Sequence, residues 1–483
     1  MKKYVILILI LSSSVKSFSQ NSRFDSLYHN LIKIWSKDKE KIEYLDFFKF
    51  NIGKHYTQDY VWVDSLNRII KFDELNYPTF NDAVSKFDSL KLKTGKLKAI
   101  PRIIPDSVII DMYTIKNSIE NLEGYKKRYS KNTVSEFLLP YRTLSEPLYN
   151  WRDIYRSKFV VFKSDKDIRT TIKNIVENID LWFVCTYGIE EKTEPQPFLG
   201  SLQLLQRKKG GCEDAANLMT FALRSLGIPC AIDIIPFWGT STGGHVLNTA
   251  FDSFDKPVHF DALIKSDSLY EMIREPSKIF RVTYSNNPQA LVNIISPEKI
   301  PNYGLLRSAN YIDVTNEYVR TKEIRFDISD TLNSDIVYAS VFNGGKWRPV
   351  WYCLEKGKAN FKNMVPGVVY LPQIYLSGKL LSVGNPKLIT NDTIITFKPQ
   401  NEVHSVKLTE MPGYLKFKTD KIYTLYYYDL KWKRIQRKML NDGTKSLIFH
   451  NVPIGALLLL KPEDSKGKER PFYIDEKDIR YWL

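Results

Sequence analysis

Cys212 opens the run Gly210-Gly211-Cys212-Glu213-Asp214-Ala215-Ala216-Asn217-Leu218, which reads as a helix beginning directly behind two glycines. His245 follows Gly243-Gly244, and Asp261 follows within His259-Phe260-Asp261-Ala262-Leu263. A thiol, an imidazole and a carboxylate in that order can serve as nucleophile, general base and the group that orients the base. The chemistry they can do is acyl transfer. Sulfur attacks an amide carbonyl, the imidazole protonates the departing amine, and water or a second amine resolves the thioester. A helix that starts at the cysteine aims its positive end at the sulfur and favours a thiolate. The backbone N–H of Cys212 is a natural oxyanion donor, and Gln206, just upstream, is a candidate second donor. Trp238 is a candidate wall of the substrate cleft. His259 is a competing base, but its place inside a strand suits a supporting or surface role better. Each of these residues taken singly has an ordinary structural use. Their joint order carries the chemical reading.

The elements that must position them are readable nearby. The cysteine helix has a stop signal, with Gly227 just past Leu226 and Pro229 following. Ala231 to Ile235 reads as a short apolar strand. Val246 to Phe251 and Val258 to Leu263 flank a turn centred near 253–254 as a hairpin. His245 and Asp261 are symmetric about position 253, so they are expected nearly opposite each other on adjacent antiparallel strands. This core is expected over residues 136–310. It includes a helix from Asp167 to Trp182 with Ile168, Ile172, Ile175 and Ile179 on one stripe.

Residues 20–135 read as a mainly helical region without chemistry, from the three-and-four spacing of Phe24, Leu27, Leu31 and Ile34. From Tyr311 onward the chain is strand-rich and looks duplicated. The run Phe342 to Trp347 resembles Tyr428 to Trp432, and Phe361 to Gly367 resembles Phe449 to Gly455, with offsets of 85 and 88 residues. Two tandem β-sandwiches are expected, over 311–398 and 399–483.

At 483 residues, with 43% hydrophobic and 26% charged side chains, the chain is an ordinary folded composition of several domains. Lys2-Lys3, the apolar stretch Tyr4 to Leu11 and the small residues Ser17 and Ser19 read as a signal peptide over 1–19. That stretch is shorter than the roughly 20 residues a membrane span needs. No cysteine precedes Cys185, which excludes a lipid-bearing cysteine at the cleavage point. The expected location is secreted or periplasmic, with no membrane span. The formal charge of +16 falls to +13 once Lys2, Lys3 and Lys16 are removed. The lysines are spread along the chain and no zinc-finger, P-loop or RNA-binding pattern occurs, so no nucleic-acid role is expected. Four cysteines do not make a disulfide framework. A Cys185–Cys230 bridge and three buried thiols beside Cys212 both remain open.

The stretch Gly210 to Leu263 resembles the transglutaminase-like superfamily, whose core carries a G-x-C-x-[DE] helix start, an H-x-W-N strand and a following aspartate. Here these read Gly210-Gly211-Cys212-Glu213-Asp214, His245-Val246-Leu247-Asn248 and Asp261, with Leu247 in the usual place of tryptophan. The flanking pieces Leu139-Pro140-Tyr141-Arg142, Glu146-Pro147-Leu148, Trp151-Arg152 and the glycine loop after Trp238 resemble exported bacterial proteins that carry this core. The resemblance implies an α+β, papain-like fold and cysteine amide chemistry on a peptide, protein or glycopeptide, with no metal and no cofactor. The superfamily includes crosslinking enzymes, proteases, glycan amidases and members that have lost activity. An inactive core with sandwiches that bind glycan or protein is therefore the alternative reading.

Overall fold

The computed structural model describes residues 23–186, 199–265, 268–328, 335–354, 358–441, 445–477 and 479–483. The expected signal peptide lies outside them. The chain is α+β, with helices and small sheets in its first two thirds and a β-rich C-terminal region. Among the described residues no helix is long and apolar enough to cross a membrane.

The central element is a five-stranded antiparallel sheet. Its order is Tyr311–Asp313, Phe280–Val282, Cys230–Ile235, His245–Phe251, Pro257–Phe260. Tyr311–Asp313 pairs with Phe280–Val282, so the expected boundary after residue 310 moves beyond Asp313. The cysteine helix, Cys212–Ser225, packs on this sheet. Asn248 ties the two together: its amide donates to Ala216 O and Thr220 Oγ1 at 3.0 and 2.9 Å. On the helix's far side lie the helices Arg152–Phe159 and Ile168–Asp180, and Ile172, Ile175, Val176 and Ile179 share one core with Leu218, Met219 and Phe221. The helix ends where Gly227 adopts φ +78°, against the Tyr125 ring, in a conformation and a space that exclude a side chain.

The N-terminal region holds the expected helices and also an antiparallel sheet that the apolar periodicity did not reveal. Tyr56–Val63 pairs along its whole length with Lys98–Pro105, and Ile69–Ile70 adds a short third strand. This region shares the core rather than standing beside it. Phe24, Leu31, Leu45 and Phe48 form one apolar cluster with Tyr141 and Tyr284. Two buried ion pairs, Arg142 with Asp106 and Arg207 with Glu74, cross the same seam.

The duplication is visible strand by strand. In each copy a two-stranded sheet faces a larger one: Lys322–Asp327 with Lys358–Met364 in the first, Val403–Thr409 with Ser446–Pro453 in the second. Each copy has a long hairpin carrying one bulge, at Ala339/Ser340 and at Leu425/Tyr426. The repeated aromatic positions meet each other. Phe342 lies 5.6 Å from Trp432, and Trp347 lies 5.5 Å from Tyr428, all edge-on. Each ring also packs on its own hairpin's partner, Phe342 on Trp347 at 5.4 Å and Tyr428 on Trp432 at 5.1 Å, so equivalent rings from the two copies interleave as in a two-fold interface made within one chain.

Candidate functional site

The cysteine loop is built by its glycines and one carboxylate. Lys209–Gly210 pairs in parallel with Val184–Cys185, and Thr186 N–H donates to Gly210 O at 2.7 Å. Gly211 is the N-cap, and Asp214 in the first turn accepts its N–H at 2.8 Å. The Asp214 side chain occupies the place a Gly210 Cβ would take, 2.5 Å from its own Cβ. The space at Gly210 therefore serves the cap, not a substrate. Cys212 is half-buried at the first helical position, where a backbone N–H has no partner within the helix.

His245 is the first residue of its strand, paired with Ile235. Gly244 before it lies so close to Ile235 O that a Cβ would stand 2.4 Å away. The loop Trp238 to Gly243 is held from both C-terminal repeats. The two amide hydrogens of Asn343 are shared among the carbonyls of Trp238, Ser241 and Gly243 at 3.1, 2.9 and 2.9 Å, and its Oδ1 accepts Gly243 N–H at 3.0 Å. Arg470 donates to the carbonyls of Ser241 and Gly239 and to Phe342 O. Trp238, buried, stacks on the His245 ring with centroids 6.0 Å apart and planes 20° apart.

Asp261 is buried just past the end of strand Pro257–Phe260. It is fixed by its own N–H on Leu269 O at 2.8 Å, and its Oδ1 accepts Leu263 N–H at 2.9 Å. Its Oδ2 lies 2.6 Å from His245 Nε2. The hairpin register pairs Asn248 with Phe260. Continued one step, it sets Asp261 opposite Leu247, so Asp261 meets His245 diagonally on the same face rather than directly across. The register centres on 254, within the expected 253–254, while His245 and Asp261 are symmetric about 253; the pairing survives that offset because diagonal neighbours share a face.

With Nε2 on Asp261, Nδ1 is the nitrogen left for sulfur, and Cys212 is the ring's other hydrogen-bond partner. Burial of the ring opposes its protonation. The hydrogen bonds and charges of Asp261 and Cys212 outweigh that and raise the His245 pKa to about 9. Thiol and carboxylate thus both bear on the one imidazole. Such an arrangement can hold a proton between sulfur and nitrogen and return it to a leaving group.

Residues 165–262 match the model of the transglutaminase-like superfamily. The chain carries a transglutaminase-like core. No curated protein matches the chain. Among solved structures, red sea bream transglutaminase aligns over 89% of this chain and 77% of its own at 10% identity, with a TM-score of 0.21.

Within the transglutaminase-like core the other candidate residues separate. Gln206 is not a second oxyanion donor: both amide hydrogens are committed, to Glu74 O at 3.1 Å and Tyr77 O at 2.9 Å, so the side chain pins the N-terminal region. His259 faces away from the sulfur. It bonds Thr249 Oγ1 at 2.8 Å and stacks on Tyr318 at 3.9 Å, beside the buried Asp233–Arg281 pair, and burial lowers its pKa to about 4. Leu247 packs in one cluster with Trp238, which supplies the aromatic ring beside the histidine from the loop instead of the strand. All four cysteines are free, so the Cys185–Cys230 bridge does not form. Cys230 is buried against Thr220, whereas Cys185 is only half-buried and close enough to Cys212 for their charges to interact. Asn343 and Arg470 carry no local sequence signal for their role, although Asn343 sits in the repeated motif.

Proposed function

We propose that the protein is a cysteine-dependent amide hydrolase or acyltransferase acting on peptide, protein or glycopeptide amides, secreted or periplasmic. The observation that carries this reading is the line Cys212–His245–Asp261. The Cys212 thiolate attacks the amide carbon, and the oxyanion is met by the Cys212 backbone N–H. The tetrahedral adduct collapses as the C–N bond breaks, and His245 gives its proton to the leaving amine. The product is a thioester on Cys212. An incoming water or amine then loses a proton to His245, attacks the thioester and releases the sulfur as thiolate. Asp261 holds the ring and stabilises its protonated form throughout. Hydrolysis is favoured over crosslinking because water is the default acceptor where no amine site is evident.

The test pairs chemical labelling with turnover. Cys212 should react with iodoacetamide far faster than Cys185, Cys230 and Cys353, and cleavage profiling on a peptide and glycopeptide library should show products that vanish in Cys212→Ala. Equal, slow labelling of all four cysteines and no cleavage would sink the proposal.

One observation favours the alternative, a binding protein with an inactive core. A cleft of about 1140 Å³ runs between Thr240–Thr242 and both repeats. It exposes Tyr414 and Tyr481, each backed by another ring, Trp482 and Tyr473. Such platforms suit sugar faces. Glycan binding unchanged by Cys212→Ala, with no amide cleavage, would select that reading.

A further inference from the structure

Cys212 packs into an apolar cluster with Leu144, Ile232, Ile234 and Val282. Those same four side chains line a cleft of about 150 Å³ that reaches the N-terminal region. Three of them, Leu144, Ile234 and Val282, are only partly buried, so the apolar cluster against which Cys212 packs is also a wall of the cleft. At about 30 Å³ per small non-hydrogen centre, taken from the volume of a water, the cleft holds about five such atoms, the size of one acidic or amide side chain.

The far wall of the cleft is Lys54, His55 and Tyr56. His55 is fixed: its ring stacks on Tyr284 at 4.1 Å and its Nε2 bonds Tyr284 O at 2.8 Å. That anchor sets Lys54, the preceding residue, at the cleft. The charges behind the wall cancel. Arg142, Arg152 and Arg224 are buried, and so are Asp106, Glu136 and Glu146. The carboxylates of Glu136 and Glu146 accept backbone N–H groups, and the guanidinium groups of Arg152 and Arg224 donate to carbonyls. Lys54 is exposed and forms no ion pair among the described residues. It is the uncompensated charge of the cleft.

We propose that this cleft is the acyl-side subsite of the Cys212 reaction, and that Lys54 selects an acyl residue whose side chain ends in a carboxylate. The proposal rests on the reading of Cys212 as nucleophile and adds to it the substrate class. The N-terminal region would then bring a cation to a site whose reacting groups all lie in the core.

The test uses the full chain and two isosteric cysteine reagents, the chloromethyl ketones of N-acetyl-glutamate and N-acetyl-glutamine, with alkylation of Cys212 followed by mass spectrometry. The glutamyl reagent should react about fivefold faster than the glutaminyl one, the scale of one exposed ion pair. Lys54→Glu should invert that preference and Lys54→Arg should keep it. Fast alkylation of Cys212 with no preference, or a preference indifferent to Lys54→Glu, overturns the subsite while leaving the nucleophile standing. Alkylation of Cys212 no faster than the other cysteines overturns both.

Discussion

Gly243 and Asn343 exchange two hydrogen bonds across 100 residues of chain: Gly243 N–H donates to Asn343 Oδ1 at 3.0 Å, and Asn343 Nδ2 donates to Gly243 O at 2.9 Å. The side-chain amide thus mimics a strand neighbour for the loop that leads into His245. The first C-terminal repeat is in this way part of the frame of the site.

Asn343→Ala should therefore loosen that loop. Asn343 is buried, and its loss leaves one N–H and three carbonyls without this partner. The expected cost is about 2–3 kcal/mol in urea unfolding, with faster proteolysis at 239–243. A change within about 0.5 kcal/mol, the ordinary surface range, would show that the loop holds itself.

The two glycines before Cys212 should respond differently. Gly210→Ala drives a Cβ to 2.5 Å from Asp214 Cβ and displaces the carboxylate that caps Gly211 N–H. Loss of such a cap costs about 1 kcal/mol, and the clash adds to it. Gly211→Ala meets Thr186 O at 3.6 Å, an ordinary contact, at φ −85°. Thermal unfolding should rank Gly210→Ala well below Gly211→Ala. The reverse order would remove Asp214 from the account.

His245 should titrate near pH 9. A pKa raised above the unfolded value of about 6.5 contributes stability that is complete below 6.5 and lost as pH rises through about 9. In the proposed reaction the same proton is given to the leaving amine, so amide turnover should fall on the basic side near 9. Asp261→Asn removes the charge that holds the proton and should move the step downward. Proton NMR of the six imidazoles is a direct reading. A His245 signal that titrates below 7 in the wild type would contradict the geometry.

Acid should destabilise the fold through two other rings. Burial lowers His55 and His259 to about 4 each. Between 6.5 and 4 the unfolded chain takes up protons there that the folded chain refuses, so their contribution is present above 6.5 and lost as pH falls toward 4. The urea midpoint should drop across that window, and His55→Phe should flatten the drop. An unchanged slope in that variant would place the acid sensitivity elsewhere.

Much of the site was open to reading because its parts are local. The cap of the cysteine helix needs Gly210, Cys212 and Asp214 within five positions, and the hairpin that carries His245 and Asp261 closes on itself. Gln206 misled because its amide type suits an oxyanion, while its partners, Glu74 and Tyr77, lie about 130 residues earlier in the chain. The strand Tyr56–Val63 was missed because its burial does not alternate cleanly, which hides the two-residue period.

By itself the chain order determined which three side chains were candidates for the chemistry and which elements would carry them, since helix starts, turns and strand periods are properties of neighbouring residues. The tertiary structure alone decided that Asp261 reaches His245 diagonally, that Asn343 and Arg470 frame the histidine loop, and that Lys54 shares a cleft with Ile232, Ile234 and Val282. Those relations join residues separated by up to 231 positions, as Arg470 and Gly239 are, and a contact of that span is set by how packed elements meet, not by any local preference.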